Sequence, residues 1–226
     1  MDYIIQDKID QIIKESAQFV NNIPNRRNLP KSPNPLILSK WVANEIEEIN
    51  NQINQIELNN NLKCVCTKGC TACCRQPIAM ASSQAIAIKP YVNSLTKSEQ
   101  DKLYTKIIKT CNQIEDSGIE TNINKLTSEN AIDNYLKEYF SLNICCPMLN
   151  DQGECSIYQV RPSVCWSYRA YGDPTDCEIS HDIELSIKYD DWSYYFTKLL
   201  YTIKKPTRDK LKLLPYFIRD ILENKI

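Results

Sequence analysis

Four cysteines fall within nine residues, Cys66, Cys70, Cys73 and Cys74 in the run CTKGCTACC. Thiolates are soft ligands that suit zinc and iron–sulfur centres, and neither helix nor sheet packing asks for so many of them together. The Cys70-x-x-Cys73 spacing lets two sulfurs reach one metal from a single turn, with Gly69 easing the backbone approach. Adjacent cysteines such as Cys73 and Cys74 are expected to point apart, serving two metals or two corners of one cluster. A second block about seventy residues on, Cys146, Cys155, Cys165 and Cys177, offers four more sulfurs, so the first run reads as half of a metal site.

The elements that must bring these halves together read as helices. Apolar residues at Ile5, Ile9, Ile12, Phe19 and Ile23 share one helical face, interrupted by Ser16, and Val42, Ile46, Ile49, Ile53 and Ile56 repeat the pattern between Ser39 and Leu58, with Ser39 as N-cap. A proline-containing loop, IPNRRNLPKSPNP, separates the two. Ser82 to Tyr91 reads as a short helix disturbed by Pro90. Thr96 and Glu99 form a Thr-x-x-Glu capping box opening a helix whose apolar face is Leu103, Ile107, Cys111 and Ile114. Ser128 to Phe140 is a further helix with Ile132, Leu136 and Tyr139 on one side and Tyr135 adjacent. From Cys145 the character changes: CCPMLNDQGECSIYQVRPSVC reads as short extended pieces, an Asp-Gln-Gly turn and a tight bend through Arg161-Pro162. Helix returns from Trp192, with Tyr195, Leu199 and Ile203 before Pro206 and Leu211, Leu214, Phe217, Ile218 and Leu222 after it. The fold class expected is mainly α, a helical protein around a loop-rich cysteine centre with few short strands. The expected divisions are an amphipathic helical pair over 1–60, a cysteine-cluster domain over 61–185, and C-terminal helices over 186–226 packing on the same globule.

Composition narrows the function classes. The 226 residues are 42% hydrophobic and 24% charged, which suits a folded protein rather than a disordered one. No apolar run approaches the roughly 18 residues of a membrane span, and MDYIIQDKIDQ interleaves charges where a signal peptide needs an apolar core. A cytoplasmic location is the expectation, and there eleven cysteines, an odd number, point to metal or redox chemistry rather than a disulfide framework. A formal net charge of −1 suggests no polyanionic partner. The segment from Lys188 onward has nine basic and five acidic residues, including KKPTRDKLK, and reads as a solvated helix face, with no nucleic acid and no membrane expected. Three of the four glycines, Gly69, Gly153 and Gly172, lie beside cysteines, where the chain must bend tightly.

Taken together, CTKGCTACC, CPMLNDQGECSIYQVRPSVC and the trailing Cys177 resemble the YkgJ-like cysteine-cluster proteins, a family of zinc- or iron-chelating domains with eight characteristic cysteines. The resemblance rests on the double cysteine Cys73-Cys74, on Cys146-Pro147, and on the Cys155-Ser-Ile-Tyr158 and Arg161-Pro162-x-x-Cys165 phrases. It covers residues 66 to 177 and implies Cys66, Cys70, Cys73, Cys74, Cys146, Cys155, Cys165 and Cys177 as metal ligands. Cys64, Cys111 and Cys145 fall outside the set, and the first run is spaced one residue wider than the compact family form. The family in turn resembles flagellin lysine methylases, which brings in S-adenosylmethionine as a cofactor, although the chain has no separate nucleotide-binding fingerprint. The Cys66-x-x-x-Cys70-x-x-Cys73 spacing also matches radical S-adenosylmethionine enzymes. Against that barrel fold stand the preceding amphipathic helix, the missing strand–helix alternation and Ala72 where an aromatic is expected.

The sulfur-only ligand set and its irregular spacing favour an iron–sulfur cluster with a redox or cofactor-binding role, and zinc stays open, since two four-cysteine sites would use the same eight thiolates. The alternatives are a cluster-dependent protein methyltransferase and a non-enzymatic zinc-stabilised scaffold whose helices bind a protein partner. No general base, nucleophile or phosphate loop stands out, so the chain's status as an enzyme is left open. His181, the only histidine, reads as surface or structural. Arg75 and Arg161 are expected to hydrogen-bond nearby carbonyls or balance thiolate charge, and Tyr158, Trp166 and Tyr168 to pack around the centre.

Overall fold

Ser16, the polar break in the first apolar stripe, is buried, and its hydroxyl accepts a 2.7 Å hydrogen bond from the indole N–H of Trp192. The residue that spoils the periodicity thus fixes the helix carrying it, α1 (Asp2–Asn21), onto the late helix α7 (Asp190–Ile203). Phe19 stacks on the same Trp192 ring at 5.5 Å. A buried indole N–H needs an acceptor, and a serine supplies one with little volume.

The computed structural model describes residues 2–23, 29–32, 34–67, 69–203 and 211–226. Parts of the proline-containing loop (24–28 and 33) and most of KKPTRDKLK (204–210) lie outside the described residues. Among the described residues there are eight α-helices, several 3-10 turns and four short strands, so the chain is mainly α, with Cys111 and Cys177 on helices and the other cysteines in loops and 3-10 turns. Helix α2 (Pro35–Asn59) begins earlier than the periodicity indicates: Asn34, not Ser39, is its N-cap, accepting the amides of Leu36 and Ile37, and Pro35 occupies the first turn, where no N–H is missed. Helix α3 (Ser82–Ser94) runs on past Pro90 by a full turn. Helix α4 (Lys97–Asp116) opens with the expected capping box, Glu99 N–H to Thr96 Oγ1 at 3.3 Å and Thr96 N–H to Glu99 Oε2 at 2.7 Å. Ser128 caps α5 (Glu129–Ser141), but its inward face is Tyr135 and Tyr139, while Ile132 is exposed. A short α6 (Asp176–Ile179) carries Cys177, and α8 (Leu214–Leu222) follows the last strand, so Leu211 lies before that helix and outside it.

Strand β1 (Ala79–Met80) pairs antiparallel with β4 (Lys212–Leu213), and β2 (Tyr168–Ala170) with β3 (Ser186–Lys188), Arg169 opposite Ile187. Helix α2 packs on α3, α3 and α4 on α8, and α1 on α7. One apolar cluster runs through these elements from Ile9 to Ile221, with Ile49, Ile53, Ile88, Ile107 and Ile114 fully enclosed. No helix among the described residues is long and apolar enough to cross a membrane.

Phe196 sits where this core meets the cysteine loops, stacked on Trp41 at 6.4 Å and edge-on to Trp166 at 5.6 Å, next to Cys165 in sequence. Phe196→Ala is expected to destabilise the protein by about 3–5 kcal/mol through the lost transfer energy and the cavity left behind. Denaturant unfolding at fixed metal content checks this: the midpoint should fall while the slope stays unchanged.

Candidate metal centre

Helix α2 ends at Asn59, and the chain continues into a non-helical stretch holding Cys64 and Cys66. This stretch is tied to β2 in both directions. The amide of Val65 donates to the carbonyl of Ala170 at 2.9 Å, and the amide of Ala170 donates to the Cys66 sulfur at 3.4 Å. Gly69, at φ +90°, makes the turn that follows, closed by Cys70 N–H on the Thr67 carbonyl at 3.0 Å. A side chain is strained at that φ, so glycine is needed there. Cys73 and Cys74 occupy a 3-10 turn, Ala72–Arg75, in which Cys73 is exposed and Cys74 half-buried.

The second block comes to meet the first through the main chain. The amide of Cys146 donates to the carbonyl of Cys74 at 2.7 Å. From there Leu149 and Cys155 form an antiparallel bridge around a turn in which Asn150 Oδ1 accepts the amides of Gln152 and Glu154. Gly153 in that turn, at φ +76°, faces the Thr71 methyl group. Two 3-10 turns, Tyr158–Val160 and Ser163–Cys165, replace most of the extended pieces expected here and deliver Cys165 to the interior.

Arg75 binds the third piece. Its guanidinium donates to the carbonyls of Glu178 at 3.0 Å and Cys177 at 3.5 Å and to Asn143 Oδ1 at 3.1 Å, while lying over the Phe140 ring at 4.8 Å. The turn carrying Cys73 and Cys74 is thereby fastened to both the end of α5 and the Cys177 helix. Gln76 adds a bond to the His181 carbonyl at 2.9 Å. Arg161 stays within its own turn, stacked on Tyr158 at 3.7 Å and donating to the Tyr158 carbonyl at 2.9 Å. Its charge still acts on Cys155 and Cys165. The His181 imidazole meets Asp133 at 3.2 Å and Phe140 at 6.5 Å. Of the aromatics expected around the centre, Trp166 is buried, Tyr168 is partly buried and Tyr158 is exposed.

The sulfurs influence one another in a definite pattern. Burial pushes the Cys165 thiol well up, assisted by Cys146, Cys73 and Cys155. Burial pushes the Cys177 thiol up to about 11, assisted by Cys66, Cys70 and Cys73. Burial also raises Cys146, to about 12, with Cys155 and Cys73 adding repulsion. The Cys73 thiol is held up first by its contact with Cys74. The Cys73 thiol is thus felt by Cys146, Cys155, Cys165 and Cys177 alike. Among the described residues, no three Cys, His, Asp or Glu side chains are already closed tightly enough to hold a metal ion. Such sites commonly finish forming only when the metal binds, because metal binding and folding are coupled. The donor set itself fits zinc or iron, being sulfur throughout. Of the cysteines outside the set, Cys111 is buried on α4, Cys145 is exposed, and Cys64 lies against Cys66.

Behind Cys66 lies a buried polar network that the sequence pattern does not reveal. Arg169, in β2, donates to Glu57 Oε1 at 3.0 Å, Asn54 Oδ1 at 2.6 Å and Asn50 Oδ1 at 2.8 Å, three positions along one face of α2. The hydroxyls of Tyr171 and Tyr189 donate to the same Glu57 oxygen at 2.5 and 3.0 Å. The phenols are thereby held well above their ordinary range, burial being the first cause and the Glu57 charge contributing to both. Arg169 and Glu57 are mostly removed from solvent, with side chains 9% and 5% exposed.

Residues 65–182, just over half of the chain, match the cysteine family described as "Putative zinc- or iron-chelating domain" and named for the pattern CxxCxxCC. The chain belongs to that family, and metal chelation is the property the family description assigns to it. No curated protein and no solved structure matches the chain.

Removing one partner of the buried pair is expected to be far worse than removing both. Arg169→Ala should cost about 3–5 kcal/mol by leaving the Glu57 charge uncompensated, and the double change Glu57→Leu with Arg169→Met should recover much of that loss. Thermal and denaturant unfolding of the three proteins decides it.

Proposed function

We propose that the eight cysteines hold one iron–sulfur centre, with a redox or cofactor-binding role, inside the metal-chelating domain. The observation that supports this most is the 2.7 Å hydrogen bond from the Cys146 amide to the Cys74 carbonyl, which joins the two cysteine blocks. Two blocks joined in this way suit one centre with several metal atoms better than two separate tetrahedral sites. In such a centre Cys146, Cys155 and Cys165 would bind one side, Cys66, Cys70 and Cys177 the other, and Cys73 and Cys74 would lie between. Iron in sulfide-bridged form would supply one-electron chemistry or an open coordination position. Arg75 and Arg161 would offset part of the thiolate charge.

A second reading is zinc, favoured by the chemistry of the donor set: Cys73, Cys146, Cys155 and Cys165 would supply the four sulfurs of a tetrahedral structural site. Anaerobic purification followed by metal and sulfide analysis separates the two. Brown protein with iron and acid-labile sulfide supports the iron–sulfur centre. Colourless protein with stoichiometric zinc and no sulfide replaces it with the zinc reading.

Cys73→Ser should remove most of the bound metal under either reading, measured by elemental analysis, with retained helical circular dichroism showing that the scaffold persists. Full metal content in that variant would contradict the ligand set. Each thiol gives up its proton when it binds metal, and burial makes Cys146 and Cys177 reluctant to do so. Apparent affinity should therefore rise with pH between about 6 and 9 and fall on acidification, in competition with a chelator whose own protonation is corrected for. A flat profile would contradict thiolate ligation.

A further inference from the structure

Cys64 stands just outside the matched region, yet the structure places its sulfur beside Cys66, whose amide it accepts at 3.3 Å. Cys66 in turn accepts the amide of Ala170, so the pair is anchored to β2 rather than loose in a loop. Cys64 packs against the apolar core while Cys66 is exposed, giving the pair an inner and an outer sulfur.

The spacing of the chain gives this pair a reason. In the pattern CxxCxxCC the first cysteine precedes the second by three residues. Cys70, Cys73 and Cys74 fit its later positions, which would put the first cysteine at position 67. Thr67 stands there instead, and its carbonyl is occupied in closing the turn onto the Cys70 amide. The first sulfur must come from further up the chain, where a non-helical segment turns alternate side chains to one side. Both residues available at that alternation, Cys64 and Cys66, are cysteines.

We infer that Cys64 is a ninth sulfur ligand, sharing the first-cysteine position with Cys66 on the same metal centre. This inference rests on the proposed metal-binding function. On binding, the Cys64 S–H bond is replaced by a sulfur–metal bond and the proton passes to solvent, with no change of oxidation state. The inner sulfur keeps the metal held when the exposed outer one is displaced. Cys111, enclosed on α4, has no such role.

The test compares Cys64→Ser, Cys66→Ser and the double variant with wild type, all purified anaerobically, in metal content and in resistance to a competing chelator. Helical circular dichroism serves as the control for folding. Each single variant should keep its metal with about 10- to 100-fold weaker retention, the range seen when one contributor to a metal site is lost, and the double variant should lose the metal of that half. A Cys64→Ser protein that retains metal as tightly as wild type overturns the inference, as does a double variant no worse than Cys66→Ser. If the double variant fails to fold, the single Cys64→Ser measurement decides alone. Wild type that carries no metal would overturn the proposed function and this inference together, whereas loaded wild type with a silent Cys64→Ser overturns the inference only.

Discussion

The charge of Glu57, carried inside the protein on α2, is the constraint around which the cysteine half-sites are arranged. A buried carboxylate must be met by a counter-charge and by hydrogen-bond donors, or it is strongly destabilising. Here all of them come from the stretch that follows Cys165: Arg169 in β2, Tyr171 just beyond it and Tyr189 after β3. Satisfying Glu57 therefore locks β2 against the end of the helix that leads into Cys64 and Cys66. The edge of that strand presents the Ala170 amide and carbonyl to the Cys66 stretch. The candidate sulfurs of this stretch lie outside helix and strand, with no ladder of their own to hold them, and this network supplies the rigid partner.

The same division of labour recurs on the other side of the centre. Arg75 ties a 3-10 turn to backbone carbonyls near Cys177, using the fixed fork of its guanidinium to reach several acceptors at once. Helices α4 and α5 span the gap between the two cysteine blocks. The core along α4 and α8 fixes where α4 lies, and the left-handed turn at Asn143, φ +52°, redirects the chain towards Cys146. The loops are free to be irregular because their ends are not.

Much of this was legible in the residues. The helical faces of α2 and α4 and the Thr96–Glu99 box follow from local rules, because they depend on neighbours three and four positions apart. The eight cysteines are visible because their number has no packing explanation. What was hidden depends on partners far along the chain. Glu57 and Arg169 look in sequence like ordinary surface charges on amphipathic elements, and only their meeting across more than a hundred residues makes them a buried pair. Ser16 looked like a defect until Trp192 was placed opposite it. Ile132 was assigned inward by its spacing, but the interior of α5 is taken by the larger rings of Tyr135 and Tyr139. Asn34 as the cap of α2 was readable from Asn-Pro, a helix-opening pair that the strong apolar periodicity further on obscured.

The hydrogen bond from the Cys146 amide to the Cys74 carbonyl closes a loop of roughly seventy residues in which the two cysteine blocks are the ends. A metal bound across that junction would be a crosslink. It would act on the unfolded chain as a disulfide does, by removing the many conformations in which the ends are far apart. Unlike a disulfide, it could be withdrawn without oxidation or reduction of sulfur, simply by competition for the ion. Metal supply would then become a term in the conformational entropy of the chain, and the helices α3, α4 and α5 enclosed by the loop would share in the stabilisation.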